Sequence, residues 1–294
     1  MPSVNLKLYV KVLTDFILLI IVALPVLIFY LVGVPYQRGF FCDDESIRYP
    51  FKPSTVTSGA LYAFGTIIPV VAIILVEYFR VREVNATTGS REKLIKWFWS
   101  LYRFIGVFLF GCAVSHLTVD ICKYSIGRLR PHFITVCDPD WSKVDCRSGT
   151  DVYVTEDVCT PDTPEDYNLL REARLSFISG HASFSAYTMF YLIFYLQYRF
   201  CKCSFSLIRP VIQYACFGLT VFTTLSRVSD YKHHWSDVLA GFVNGVAFAV
   251  FCAFWVSKVH LLKFSYKDAD DIQMCNLGAN QNRRQEPVKN KINK

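Results

Sequence analysis

The run Ser226-Arg227-Val228-Ser229-Asp230-Tyr231-Lys232-His233-His234-Trp235-Ser236-Asp237 sets imidazole, carboxylate and guanidinium close together between two long apolar segments. If a helix begins near His233, the four-residue step to Asp237 puts both side chains on one face. Such a carboxylate holds one ring nitrogen and leaves the other to act as nucleophile or base. Arg227 adds a planar cation suited to phosphate oxygens. By itself His-x-x-x-Asp describes an ordinary solvated loop between helices, so the case for chemistry depends on what else gathers there.

Two further patches qualify. Lys123 and Arg130, within Lys123-Tyr124-Ser125-Ile126-Gly127-Arg128-Leu129-Arg130-Pro131, are about two helical turns apart and are expected to lean to one side of a helix that Pro131 ends. Ser179-Gly180-His181 offers a hydroxyl, a glycine that lets backbone approach a ligand, and an imidazole at a helix start, where free N–H groups favour anions. Alone, the first is ordinary snorkelling at a span end and the second a helix cap. Arg128 is read as snorkelling, and His234, which fits neither spacing around His233, is left out of the set. Taken together, three cations, two histidines and an aspartate at membrane depth suit a phosphate-sized dianion.

The elements that would position these patches are membrane helices. Of 294 residues 53% are hydrophobic and the mean hydropathy is +0.30. The apolar residues fall in six blocks, at about 10–34, 57–79, 98–120, 176–198, 209–227 and 237–258, each near the ~20 residues that cross a bilayer's hydrocarbon. The expected fold is all-α and polytopic, with six transmembrane helices at 10–260 between a short cytoplasmic segment (1–9) and a cytoplasmic polar tail (261–294) expected to be disordered. The first block is too long, and too weakly marked by a cleavage site, for a removed signal peptide. The net charge of +7 sits at span ends and in the tail with no basic-aromatic stripe, which argues against nucleic acid.

Basic residues follow the second block (Arg80, Arg82, Arg91, Lys93, Lys96), the fourth (Arg199, Lys202, Arg209) and the sixth (Lys258, Lys263), and mark the cytoplasmic side. All three reactive patches then share the outer face, together with the long acidic loop at 132–175. That loop carries Cys137, Cys146 and Cys159, and Cys42 lies in the other outer loop, so at least one disulfide is expected, with its partners open. Cys201 and Cys203 are either palmitoylation sites or plain thiols. Asn85-Ala86-Thr87, the one glycosylation sequon, falls on the cytoplasmic side and is expected to be unused. The sequence has no glycine-rich nucleotide loop and no His-Glu-x-x-His, and neither cofactor nor metal is expected.

Lys-x6-Arg-Pro at Lys123–Pro131, Ser-Gly-His at Ser179–His181 and Ser-Arg-x5-His-x3-Asp at Ser226–Asp237 together resemble the three-part signature of the type 2 phosphatidate phosphatase superfamily. The layout, with Arg130-Pro131-His132-Phe133, the run Cys137–Lys143 and Arg174-Leu175-Ser176-Phe177, is similar to its integral-membrane lipid phosphate phosphatases. The resemblance implies a helical core like those of vanadium haloperoxidases and acid phosphatases. It implies a metal-independent hydrolase of phosphatidate, lysophosphatidate, sphingosine 1-phosphate and ceramide 1-phosphate. His233 corresponds to the nucleophile that becomes a phosphohistidine, Asp237 to its orienting partner and His181 to the acid for the leaving group. Lys123, Arg130, Ser179, Gly180 and Arg227 correspond to the phosphate-binding set.

The implied partners are phosphorylated lipids in the bilayer, with homo-oligomerisation left open. The implied location is the plasma membrane with an extracellular site, or the endoplasmic reticulum or Golgi with a luminal one. Two features depart from the pattern: no sequon lies between 132 and 175, and Ile178 stands where many members have proline. Three rival readings remain: a small-phosphoester (sugar phosphate) phosphatase using the same motifs, a non-catalytic relative that binds lipid phosphates, and a phosphate carrier.

Overall fold

The computed structural model describes residues 6–83, 89–144, 146, 152–200 and 207–259. Six long helices dominate them: α1 (Leu6–Val32), α2 (Ser58–Glu83), α3 (Ser90–Ile126), α6 (Gly180–Arg199), α7 (Ile208–Ser229) and α8 (Trp235–Val250), the last continued by a π-helical turn at Phe251–Val256. Two short helices, α4 (Phe133–Cys137) and α5 (Pro164–Ala173), lie in the long connection. The sequon at Asn85, Cys201, Cys203 and the tail at 261–294 lie outside the described residues.

Among the described residues five helices are long and apolar enough to cross a membrane, spanning Tyr9–Val32, Ser58–Arg82, Ser90–Ile126, Ile208–Ser229 and Trp235–Val256. The fourth expected span, α6, does not reach that apolarity, and its position explains why. It sits between α2, α3, α7 and α8, with Ser183, Ser185, Tyr187, Thr188, Tyr191 and Tyr195 all buried. A helix enclosed by other helices needs no lipid-compatible surface, and its polar groups can bond across to neighbours. Tyr187 and Tyr191 donate to the carbonyls of Phe108 and Phe104 at 2.8 and 3.0 Å. Tyr195 and Arg199 both donate to Glu77, at 2.8 Å to Oε1 in each case. Ser115, Ser183 and Asn244 join α3, α6 and α8 in one hydrogen-bonded knot.

The closest helix pair is α6 with α8, because α8 presents glycines to α6 backbone. A Cβ on Gly245 would lie 2.8 Å from both Ala186 Cβ and Tyr187 N and closer still to the Ser183 carbonyl. Such small-residue contacts let helix backbones approach where apolar packing alone gives little drive.

Two boundaries differ from expectation. Helix α3 begins at Ser90, so Arg91, Lys93 and Lys96 are helical; Glu92 and Lys96 form an ion pair one turn apart at 2.6 Å, which lets a charged segment coil. At its other end α3 stops at Ile126, before Pro131, because Gly127 takes the left-handed conformation (φ 57°) and donates to the Lys123 carbonyl at 3.0 Å. Arg130 is therefore not on the same helix as Lys123.

At the end shared by the starts of α2, α6 and α8, the connections fold into a cap. Strands β1 (Phe40–Phe41) and β2 (Tyr153–Val154) pair antiparallel. Disulfides Cys42–Cys146 and Cys137–Cys159 cross-link the cap around a small core that includes Phe40, Ile47, Phe133 and Val158.

Helix propensity alone favours Ala over Gly by about 1 kcal/mol at any interior position. Gly245→Ala is nevertheless expected to destabilise the detergent-solubilised protein by roughly 1–3 kcal/mol through overpacking. Gly218→Ala, where a Cβ meets nothing within 4 Å, is expected to be neutral or stabilising. Denaturant unfolding of both variants measures the contrast, and equal midpoints would contradict it.

Candidate active site

The three patches meet because their backbones bond to one another. After Gly127 the chain runs beside the segment that precedes α6: Arg130 N donates to Ala173 O at 2.8 Å and Ser176 N to Arg128 O at 3.0 Å. Ser179 N then donates to Asp237 O at 3.0 Å, joining the start of α6 to that of α8. Ser179 caps α6, its hydroxyl accepting from Ala182 N at 3.4 Å. Helix α7 ends in a turn at Asp230 and Tyr231 (φ 54°), which curls back so that the N–H groups of Lys232 and His233 both reach the Arg227 carbonyl, at 3.0 and 3.2 Å.

A cavity of about 260 Å³ opens there, lined by four of the expected residues, Arg130, His181, Arg227 and His233, with Phe51, Ser58, His132, Glu172 and Lys232 among the others. The Lys123 ammonium lies against the first turn of α6, 3.5 Å from where a Cβ on Gly180 would be. Ser179 and Asp237 are fully buried behind this wall. A strap from Tyr49 to Thr57, connecting the cap to α2, closes the remaining side. Thr55 donates to the Asp230 carboxylate from N and Oγ1 at 2.8 and 2.7 Å. The Val56 carbonyl lies 3.2 Å from His181 Nε2, and Tyr49 stacks on Tyr231.

Three details correct the sequence reading. Helix α8 starts at Trp235, so His233 lies in the preceding turn rather than on the helix. Its Nδ1 is 3.9 Å from Asp237 Oδ2, beyond hydrogen-bond range, and is nearest to Ser176, whose Oγ is 3.4 Å away. His234, excluded on spacing, caps α8 and reaches Asp237 Oδ2 from both N (3.0 Å) and Nδ1 (3.2 Å). Arg128, read as snorkelling, bridges Ser236 Oγ and Asp237 Oδ1, the latter at 2.5 Å. Ser176 Oγ completes the set, donating to Asp237 Oδ2 at 2.6 Å.

The electrostatics favour an anion and a neutral imidazole. Arg227, 1% exposed, is balanced by Asp230 at 2.7 Å, and Arg130 lies 4.0 Å from Glu172. Burial, then the charges of Arg130, Lys123 and His181, hold His233 well below its usual pKa. Burial also pushes His132 down to about 4, opposed by its bond to the Tyr231 carbonyl at 2.7 Å. Nδ1 of His233 is the ring nitrogen turned toward Ser176.

Sequence reasoning missed Arg128, Ser176, His132, Lys232 and the strap. The first four all flank motif residues, but nothing in their spacing distinguishes them from ordinary neighbours.

The PAP2 superfamily profile matches residues 104–261. The chain is 43% identical over 268 residues to a Drosophila melanogaster protein named putative phosphatidate phosphatase, covering 87% of this chain and 70% of that one. It is 41% identical over 249 residues to human phospholipid phosphatase 2 (85% and 83% covered) and 38% identical over 278 residues to rat phospholipid phosphatase 1 (92% and 94% covered). No solved structure matches it.

Removing Arg128 leaves a buried carboxylate short of a charge partner, so Arg128→Ala is expected to cost about 2–4 kcal/mol in unfolding free energy; a loss under 0.5 kcal/mol would show the pair to be incidental. His132 gives a pH signature. Unfolded, it binds a proton below about 6.5, whereas folded it stays neutral down to about 4. Stability from this residue is thus complete above pH 6.5 and is lost as pH falls toward 4. His132→Asn is expected to flatten the fall in melting temperature between pH 7 and 5, and an unchanged slope would refute the assignment.

Proposed function

The chain belongs to the PAP2 superfamily, and from that membership we propose that it is an integral-membrane lipid phosphate phosphatase acting without a metal on phosphatidate, lysophosphatidate, sphingosine 1-phosphate and ceramide 1-phosphate. The observation that carries this reading is the cavity on which His181, His233, Arg130 and Arg227 converge. Its ~260 Å³ falls below the roughly 300–1,000 Å³ of pockets that enclose whole small ligands. It suits a phosphate and the first atoms of its ester, and the acyl chains would stay in the bilayer.

In the proposed reaction His233 Nε2 attacks phosphorus in line, forming an N–P bond as the P–O ester bond breaks. His181, which takes up a proton once the dianion offsets the cations around it, gives that proton to the departing alkoxide. Lys123, Arg130, Arg227 and the N–H groups at the start of α6 neutralise the three equatorial oxygens, the task magnesium performs in many phosphoryl-transfer enzymes. Water then attacks the phosphohistidine, His181 takes its proton, and inorganic phosphate and free His233 are regenerated. Ser179 and Gly180 shape the anion site. Asp237 acts through the framework of Ser176, Arg128 and His234 that surrounds the nucleophile.

The same reading puts the site on the exoplasmic side, at the plasma membrane or on the luminal face of the endoplasmic reticulum or Golgi. Two facts support it. Both disulfides lie at the site's end of the bundle, and disulfides persist in oxidising compartments; the basic span ends lie at the other.

Purified protein in detergent is expected to release inorganic phosphate from lipid monophosphates far faster than from glucose 6-phosphate, and to do so in EDTA. His233→Ala and His181→Ala are each expected to lower turnover at least about 10²–10⁴-fold. Activity abolished by chelator, or retained by His233→Ala, would sink the scheme.

A further inference from the structure

Lys232 is unused by the mechanism above. Its position is nonetheless tightly determined: the residue is 7% exposed, its N–H is fixed on the Arg227 carbonyl, and its side chain lines the same cavity as His233. The ammonium sits 3.6 Å from the centroid of the Phe51 ring. Among the described residues no carboxylate pairs with it. An aromatic face can hold a desolvated cation without neutralising it, so the charge stays available to an incoming anion.

We infer that Lys232 is a fourth substrate-binding cation, held on the Phe51 ring, and that it sets a preference for the dianion of a phosphomonoester over the monoanion of a diester. The inference rests on the proposed phosphatase reading and names a specificity determinant for it. The charge balance carries the argument. Lys123, Arg130, Arg227 and Lys232 face the cavity or its rim against three carboxylates: Asp230 pairs with Arg227, Glu172 lies beside Arg130, and Asp120 acts on Lys123. Asp237 is turned away and matched by Arg128. Four positive charges against three carboxylates leave a surplus of one, which Lys232 supplies; without it the set is balanced and favours the more highly charged anion less.

The groups facing Lys232 are Arg130 and His132 from the loop after α3, Glu172 from α5, Arg227 and Asp230 from the end of α7, and Phe51 from the strap. Burial, then the nearby Arg130 charge, lowers its pKa to about 8. This charge is lost as pH rises past 8, and a bound dianion favours keeping it.

The test uses full-length protein in detergent, with inorganic phosphate as the binding probe by calorimetry and phosphatidate in mixed micelles as the substrate. Losing one charge-assisted contact corresponds to about 10–100-fold. Lys232→Gln is therefore expected to weaken phosphate binding and raise KM for phosphatidate by about that factor, with kcat changed less than about threefold. Lys232→Arg is expected to bind phosphate normally at pH 7 and to keep more of that affinity at pH 9 than the unaltered protein. The other titrating groups are common to both proteins, so their difference reports Lys232.

Phosphate affinity and KM within about threefold of the unaltered protein in Lys232→Gln would overturn the inference. So would identical pH dependence in Lys232→Arg, which decides alone if the Gln variant does not fold. Phosphate bound as expected without turnover of any lipid would instead overturn the phosphatase reading.

Discussion

Burying a carboxylate costs several kcal/mol unless donors replace the water it loses, and the end of this bundle that holds the cavity is arranged around one such group. Asp237 is inaccessible and accepts from Arg128, Ser176 and His234. These residues come from the loop after α3, the approach to α6 and the cap of α8. None of the three segments can move far without leaving the charge short of a partner. The carboxylate also lies in the first turn of α8, where the helix dipole favours a negative charge. His233 is packed against this framework and not bonded directly to the carboxylate, so its orientation follows from the integrity of the whole cluster.

A second carboxylate does for the outer wall what Asp237 does for the inner one. Asp230 neutralises Arg227 and also accepts two bonds from Thr55. The strap that closes the cavity is thus fastened to the residue that restrains one of its cations. The cup is not an open patch of like charge: each arginine in it is partly balanced, which limits self-repulsion in the absence of a ligand. Lys232 is held on an aromatic ring, and among the described residues no carboxylate pairs with it.

Much of this was legible in the sequence. Apolar blocks near twenty residues in length identified the helices, and basic span ends brought the three reactive patches to one face. The rest was hidden for identifiable reasons. A single arginine at a span end has the same appearance whether it snorkels or pairs, and the partner of Arg128 lies 109 residues away. Lys232 stands beside two histidines that draw attention from it. The step from His233 to Asp237 has helical spacing, yet His233 lies outside the helix, because capping by His234 begins α8 one residue later. Pro131 looked like the end of α3, but a left-handed glycine four residues earlier ends the helix first. Cysteine spacing left the pairing open, and only the fold brings Cys42 to Cys146.

Helix α6 shows why a polar span can be the most constrained element of a membrane bundle. A helix held by apolar contacts alone is poorly fixed in rotation, since one smooth face packs much like the next. Directional bonds remove that freedom. α6 is tied at one end through Arg199 and Tyr195 to the buried Glu77, at mid-height through Ser183 to Ser115 and Asn244, and at the other end through Ser179 N to the Asp237 carbonyl. Between these anchors, tyrosine hydroxyls fasten it to α3. The rotation that results turns His181 into the cavity and lays Gly180 against Lys123. The polar residues that keep α6 from looking like a membrane span are the same ones that aim its first turn at the site.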